Sequence, residues 1–442
     1  MATRIIKGQV VTFQDDPFAL EDPTAAVLHH SDGAVWIVDG VIRSVGTWSD
    51  LKAELGPALD STPVEDYGDH LIVPGFVDCH AHYPQLPIIA SYGTQLLEWL
   101  QKYTFPMEVT YRDPEVSRAA SAFYLDQCLA NGITTACVYA TVHPVSAEMF
   151  FQEAEKRNMR MASGKVLMDR NAPDGLRDTA ETGYTDSEAL IKRWHRKGRA
   201  LYCLTPRFAA TSTHEQLEAA KALRAAYPDI LMQTHLSENH KEIAWIAELF
   251  PEAPDYFGVY ERAGLAGPGS IFGHGIHLTD RELAAIRETG SALAHCPTSN
   301  LFIGSGLFDM QGLRHGPDPV PVGLATDVAG GSSLSMFATM RAAYEIAQLR
   351  GYSLHPLRAW YLATRGSAAT MGLDGVVGCL APGAEADLVV LDPTATPMLA
   401  QRANRAEALW EVLFALIVLG DDRAVRATYV AGDCAHDRTV SA

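Results

Sequence analysis

The chain has 442 residues, of which 48% are hydrophobic and 20% charged, and its formal net charge of −18 corresponds to a pI of about 5.3. This length allows one large core with an accessory domain or two to three ordinary domains, and the acidity argues against a general nucleic-acid binder. The longest apolar run, Val412 to Leu419, is far shorter than the ~20 residues that span a bilayer.

Two further features bear on location. Residues 1–7 contain no hydrophobic signal-peptide core. The seven cysteines include no Cys-x-x-Cys pair, which favours a reducing compartment over a disulfide framework. We therefore expect a cytoplasmic protein that contacts neither nucleic acid nor membrane.

Short β signals dominate the first 70 residues. Residues 5–13 alternate apolar and polar side chains, and Asp39-Gly40 marks a hairpin turn between residues 34–38 and 41–46. This pattern predicts a small antiparallel sheet. Because similar signals return after residue 375, we expect segments 1–74 and 376–442 to form one accessory β-sandwich domain.

Residues 75–375 alternate short apolar strands with amphipathic helices, which is typical of parallel βα units. The strand signals fall at residues 71–82, 135–139, 160–167, 200–204, 230–235, 269–274, 291–295 and 322–327. Eight units in about 300 residues predict a (β/α)₈ TIM-type barrel, in which active sites lie at the C-terminal strand ends. A doubly wound sheet is the alternative, weakened because no strand leads into Gly-x-Gly-x-x-Gly.

Titratable residues coincide with the predicted strand ends. His80 and His82 end the first strand and point to one face, while His235, His274 and Asp327 end the fifth, sixth and eighth. Singly, each has an ordinary explanation as a helix cap or a core histidine. Jointly, they predict a catalytic metal site, in which bound Zn²⁺ would lower the pKa of water to about 7 and favour hydrolysis.

Glu238 follows His235 by three residues. A carboxylate there can reach the substrate without binding the metal and can shuttle a proton to a ring nitrogen. The competing interpretation is a first-turn helix charge that interacts favourably with the helix dipole.

Four features of the sequence resemble the amidohydrolase superfamily, in its mononuclear deaminase branch. They are the motif Pro-Gly-Phe-Val-Asp-x-His-x-His at residues 74–82, His-x-x-Glu at 235–238, the strand-six histidine and the strand-eight aspartate. Residues 96–108, 164–169, 205–208 and 295–301 further resemble the guanine deaminases of that branch. The resemblance implies that one metal ion per subunit, zinc or ferrous iron, is bound by His80, His82, His235 and Asp327. It implies that His274 orients water or substrate. It also implies that a purine base is bound by Gln85, Arg207 and Phe208. Trp99 is a further candidate for a wall of that pocket, but Trp99 and Phe105 could each line either the pocket or the core.

The implied reaction is hydrolytic deamination of guanine to xanthine and ammonia by a metal-activated hydroxide, in a homodimer. Asp327 would accept a proton and Glu238 would deliver one to N3. A deaminase or chlorohydrolase acting on a pterin, triazine or adenine-type heterocycle remains an alternative, as does a catalytically silent barrel that acts as a binding module.

A cytidine-deaminase site is excluded by the missing His-x-Glu and Pro-Cys-x-x-Cys motifs. Lys165, on strand three, does not match the strand-four lysine that bridges two metals in binuclear relatives.

Overall fold

The computed structural model describes residues 3–92 and 95–439. The strands are β1 (Thr3–Phe13), β2 (Val27–Val38), β3 (Val41–Thr47), β4 (Val64–Pro74), β5 (Phe76–His82), β6 (Ile133–Tyr139), β7 (Arg160–Gly164), β8 (Val166–Leu167), β9 (Leu201–Pro206), β10 (Leu231–Leu236), β11 (Ser270–His274), β12 (Ala292–His295), β13 (Val322–Leu324), β14 (Leu388–Leu391), β15 (Val425–Val430) and β16 (Asp433–Asp437).

The α-helices are α1 (Trp48–Leu55), α2 (Leu96–Trp99), α3 (Phe105–Glu108), α4 (Pro114–Ala130), α5 (Pro144–Lys156), α6 (Ala180–Trp194), α7 (His214–Ala226), α8 (His240–Leu249), α9 (Tyr256–Arg262), α10 (Asp280–Thr289), α11 (Pro297–Phe302), α12 (Met310–Arg314), α13 (Met336–Leu349), α14 (Pro356–Ala363), α15 (Arg365–Thr370), α16 (Pro397–Ala403) and α17 (Leu409–Leu419). Within the described ranges, no helix has the length and apolar character needed to cross a membrane.

The predicted barrel is confirmed. Its strands pair in the order β5-β6-β7-β9-β10-β11-β12-β13, and every neighbouring pair is parallel. The short strand β8 follows β7 after Lys165 and pairs with β9. These strands are buried on both faces, as expected of a parallel sheet covered by helices.

The first and last barrel strands meet through individual hydrogen bonds. The backbone N–H of Asp327 donates to the carbonyl of His80 at 2.9 Å. The neighbouring residue Thr326 makes two more contacts across this seam. Its backbone N–H donates to the fully buried Asp78 carboxylate at 3.0 Å, and its hydroxyl donates to the same carboxylate. This seam brings residues that follow β13 beside the C-terminal end of β5.

The strands from the two chain ends form one sheet, in the order β16-β15-β14-β4-β1-β2-β3. The structure differs here from the predicted antiparallel sandwich, because the strands make a single mixed sheet in which β1 and β4 run parallel. The reason is the connection between β3 and β4: it contains helix α1, and a crossover of this kind returns a strand parallel to β1. The boundaries at residues 74/75 and 375/376 stay predictions.

Candidate active site

The five titratable residues predicted from strand ends lie together at the C-terminal rim of the barrel. His80 and His82 end β5, His235 lies in β10, His274 ends β11, and Asp327 follows β13 by three residues. All of them are buried except His235, which is partly buried. The helix-cap explanations for His235 and Asp327 are wrong, since α8 and α13 begin at other capping side chains.

Two of these residues have left-handed backbone conformations. The φ angle is +73° at His274 and +47° at Asp327. Residues with a Cβ adopt this region at an energetic cost, and such strain is concentrated at functional sites. Both residues belong to the group of potential ligands at this rim.

The ring nitrogens and the carboxylate have the spacing of metal ligands. The Nε2 atom of His82 is 3.2 Å from His80 Nε2, 3.3 Å from His235 Nε2 and 3.3 Å from Asp327 Oδ1. A tetrahedral zinc ion with bonds of about 2.0–2.1 Å would separate its ligand atoms by about 3.3–3.4 Å. One proton on His82 cannot satisfy three close acceptors, whereas a cation between them would.

His274 lies at the edge of this group. Its ligand atom falls within 4.8 Å of those of His80, His235 and Asp327, so these four residues could also hold an ion. However, the distance from His274 Nε2 to Asp327 Oδ2 is 3.8 Å, whereas the distance from His82 Nε2 to Asp327 Oδ1 is only 3.3 Å. Spacing therefore fits His82 better than His274 as a fourth ligand with His80, His235 and Asp327.

The protonation states suit a cation. Burial lowers the pKa of His80, lowers that of His82 to about 3, and lowers that of His235 well below its ordinary value. These imidazoles are therefore neutral near pH 7. For Asp327, burial opposes ionisation, but hydrogen bonding to His80 and His82 outweighs it and holds the pKa of the carboxyl well below its usual range.

Neighbouring groups fix the orientation of the rings. Nδ1 of His235 lies 2.6 Å from the carbonyl oxygen of Arg207, so this nitrogen carries the proton and Nε2 presents its lone pair to the cluster. His80 fits only because Gly273 lies beside it: a Cβ on Gly273 would lie 2.6 Å from Cε1 of the His80 ring. Nδ1 of His274 is likewise 2.9 Å from Oδ1 of Asn300.

Glu238 lies beside His274 inside the same pocket. It is 2% exposed, accepts a hydrogen bond from Ser305 at 2.7 Å, and lies 3.4 Å from His274 Nε2 through Oε2. Burial raises the pKa of the Glu238 carboxyl. Burial lowers the pKa of His274, but the negative charges of Glu238 and Asp327 outweigh it and raise that pKa above its ordinary value. Both groups therefore keep a proton to higher pH than they would in water, and their 3.4 Å contact allows a proton to pass between them.

Glu238 is not a first-turn helix residue. Helix α8 begins at His240, its N-cap is Asn239, and Glu242 completes the capping box. Glu238 precedes the cap, and its side chain lines the pocket. The helix-charge interpretation is therefore wrong.

One cavity joins His82, His235 and Asp327 of the metal-ligand group to the predicted purine-binding residues. The residues predicted for the base and found in its lining are Gln85, Trp99, Arg207 and Phe208. Phe105 instead packs in a separate buried cluster with Tyr139, its ring 5.5 Å from the guanidinium of Arg207. Trp99 is thus a wall of the cavity and Phe105 part of the core.

Sequence reasoning assigned no role to Glu108. This residue is fully buried, accepts a hydrogen bond from Gln85 Nε2 at 3.0 Å, and pairs with Arg207 Nη1 at 2.6 Å. Its partners lie 23 and 99 positions away in sequence, so no local spacing rule could have found the contact. The only signal was its place at the end of the 96–108 stretch. Asn300 and Ser305 were missed for the same reason.

A (β/α)₈ barrel with imidazoles, a carboxylate and a buried acid at the C-terminal strand ends defines a metal-dependent hydrolase. The chain belongs to the amidohydrolase family, whose profile matches residues 71–434.

Individual proteins are similar over nearly the whole length. The chain is 46% identical to the guanine deaminase of Escherichia coli (strain K12), covering 95% of this chain and 94% of that protein. The structure of E. coli guanine deaminase matches with a TM-score of 0.95 and 45% identity, over 98% of this chain and 100% of that one. The guanine deaminase of C. acetobutylicum with bound guanine in the active site matches with a TM-score of 0.87 and 27% identity, over 98% and 99%.

Proposed function

We propose that the protein catalyses the hydrolytic deamination of guanine to xanthine and ammonia. The observation that carries this function is that one cavity joins the imidazole–carboxylate group to Gln85 and Arg207. A carbonyl-bearing planar base needs a hydrogen-bond donor for its oxygen, an amide for its ring nitrogens and apolar walls. Relatives named as guanine deaminases, one of them with guanine bound, support the same substrate.

We further propose that one Zn²⁺ ion per subunit is held by His80, His82, His235 and Asp327. The ligand spacing of 3.2–3.4 Å and the neutral imidazoles support this assignment. Such an ion, when bound, lowers the pKa of a water molecule and so supplies a nucleophile at neutral pH. Ferrous iron is the alternative, since imidazole and carboxylate ligands suit it as well.

Three side chains would handle protons. Asp327, held as a carboxylate, would accept a proton from the attacking water. Glu238, whose pKa is raised by burial, would deliver a proton to N3 of the base as the nucleophile attacks C2. The C2–N bond would then break, the amine would leave as ammonia with the proton held by Asp327, and the C2 hydroxyl proton would return to Glu238 as the carbonyl of xanthine forms. His274, beside Glu238 and fixed by Asn300, would orient the water or the departing amine.

Recognition of the base would come from other residues that line the same cavity. The Arg207 guanidinium would donate to the purine carbonyl, and the Gln85 amide would bond a ring nitrogen. Phe208 and Trp99, 6% and 3% exposed, would form the apolar walls. Homodimer formation and a cytoplasmic location stay predictions.

The direct experiment incubates zinc-loaded protein with guanine and measures xanthine by absorbance and ammonia by a coupled assay. We expect equimolar formation of both products. Absence of guanine turnover, together with turnover of a pterin, triazine or adenine-type compound in the same assay, would reject the substrate. Protein treated with a chelator is the control for the metal requirement.

A further inference from the structure

Glu108 is a fully buried carboxylate that contacts two residues of the cavity lining, Gln85 and Arg207. Its two oxygens are used separately, Oε1 by Gln85 Nε2 at 3.0 Å and Oε2 by Arg207 Nη1 at 2.6 Å. Both partners are 3% exposed and line the cavity. Glu108 therefore joins the two polar residues that face the base.

The charge of Glu108 determines which way the Gln85 amide points. A carboxylate paired with a guanidinium offers only acceptors, so the group of Gln85 that faces it must be the NH₂. Reversing the amide would put two oxygens together in a buried site, which costs the full penalty of an unsatisfied polar group. Gln85 Oε1 is thereby left as an acceptor, and within the described residues it accepts no hydrogen bond.

Arg207 is held by the same carboxylate. One Nη1 donor goes to Glu108, and the guanidinium carbon lies 5.5 Å from the centre of the Phe105 ring, which belongs to the core. In the described part of the chain, the remaining guanidinium nitrogens donate no hydrogen bond. The pocket therefore presents an acceptor from Gln85 next to donors from Arg207.

We propose that Glu108 is a positioning residue that makes the pocket selective for a lactam edge, a ring N–H beside a carbonyl, over an amidine edge with the opposite polarity. This inference rests on the proposed function and adds the reason for its selectivity. Guanine carries N1–H next to O6, which complements the acceptor and the donors. 2,6-Diaminopurine keeps the reacting amine on C2 but has an acceptor at N1 and a donor at C6, so both contacts become unfavourable.

The test measures kcat and KM for guanine and 2,6-diaminopurine with wild-type protein and Glu108→Gln. In that variant the side chain at position 108 can donate as well as accept, which frees the Gln85 amide to turn. We expect kcat/KM for guanine to fall about 10- to 100-fold, mainly because KM rises. The preference, which is the ratio of kcat/KM for guanine to kcat/KM for 2,6-diaminopurine, should decrease by about tenfold or more. Where 2,6-diaminopurine is not turned over, its inhibition constant replaces its KM.

The control is Glu153→Gln. Glu153 is also a buried glutamate paired with arginine, but it lies on α5 outside the pocket lining. Loss of a buried charge there should lower stability without changing the preference between the two purines. Equal losses for both purines in Glu108→Gln would overturn the inference and leave Glu108 a structural residue.

A second variant keeps the proposal testable if Glu108→Gln does not fold. Gln85→Met removes the amide while retaining side-chain length, so it should narrow the preference as well. An unchanged preference in Gln85→Met would overturn the inference. Failure of wild-type protein to deaminate guanine would instead contradict the proposed function, which separates the two outcomes.

Discussion

Glu238 illustrates how surroundings, rather than residue type, define a catalytic group. The sequence holds many glutamates at helix starts, but this one precedes the cap of α8 and its carboxyl lies between Ser305 and His274. Burial favours its protonated form, and the nearby imidazole can exchange that proton. Its assigned role as proton donor to N3 can be tested separately from metal binding.

Glu238→Gln keeps the size of the side chain and its hydrogen bond to Ser305 but cannot transfer a proton. We expect kcat for guanine to fall by about 10²- to 10⁴-fold, the range typical of a lost general acid or base. Zinc content measured by plasma mass spectrometry should stay at one ion per chain, because this side chain is not among the proposed ligands. Full activity in the variant would contradict the proton-shuttle role.

Gly273 offers a second residue-scale prediction. A methyl group at this position would lie 2.6 Å from His80 Cε1 and 2.9 Å from Nδ1, closer than real contacts allow, so the ring must move. We expect Gly273→Ala to weaken zinc binding at least about tenfold, measured by competition with a chromogenic chelator.

The matched control for that substitution is Gly175→Ala, whose new Cβ would meet Val109 at an ordinary 3.4 Å. Its zinc affinity should equal that of the wild type. Equal affinity in Gly273→Ala would show that the His80 ring does not depend on this close approach.

At the scale of elements, the strand-end rule explains what the sequence could predict. Parallel strands in a barrel direct their C-terminal ends to one rim, so residues that end strands one, five, six and eight must meet. The rule cannot place residues outside the strands. Glu108 arrives from α3 and Asn300 from α11, and their contacts depend on how these helices pack over the rim.

The capping box of α8 predicts a pH effect on stability. Burial, and then the charge of Glu238, raise the pKa of Glu242 from its ordinary 4.5 to about 7, while Tyr256 donates to it at 2.8 Å. Between these pH values the folded chain binds more protons than the unfolded chain, so this group lowers stability as pH rises from 4.5 to 7. We expect Glu242→Gln to remove that loss, up to about 3 kcal/mol.

Urea unfolding at pH 5.0 and pH 7.5 measures the effect as a difference between variant and wild type. Glu248→Gln, at an exposed position of the same helix, serves as the control and should follow the wild-type pH dependence. If Glu242→Gln loses as much stability as the wild type over this pH range, Glu242 does not titrate there.

On the scale of the whole molecule, a buried ion network joins the terminal sheet to the N-terminal rim of the barrel. Arg199, just before β9, donates to Glu385 at 2.6 Å and to the fully buried Asp387 at 2.5 Å. Arg160, at the start of β7, bonds Glu385 as well. No sequence pattern predicted this network, because its members lie up to 225 positions apart and meet only once both sheets have formed.

Arg199→Ala would leave the buried Asp387 carboxylate without its cationic partner and, among the described residues, with only the backbone N–H of Ala431 as a donor, and such a loss typically costs about 3–5 kcal/mol. We expect the melting temperature to fall by several degrees, while kcat at 25 °C stays unchanged because the network lies at the opposite end of the barrel from the candidate active site. Lys192→Ala, which removes an exposed pair with Glu188, should change the melting temperature by less than about 2 °C. Equal effects of the two substitutions would show that the network adds no stability.

The proposed ion should stabilise the whole barrel, because its ligands come from β5, β10 and the segment after β13 and so connect strands one, five and eight. An ion present at about 1,000 times its dissociation constant adds about 4 kcal/mol to the free energy of unfolding. Removing it with a chelator should therefore lower the melting temperature by several degrees, and added zinc should restore it. Asp327→Asn, which removes the only carboxylate ligand proposed, should melt at the lower temperature with or without chelator. An unchanged wild-type melting temperature after loss of a stoichiometric ion would show that these strands are held together without the metal.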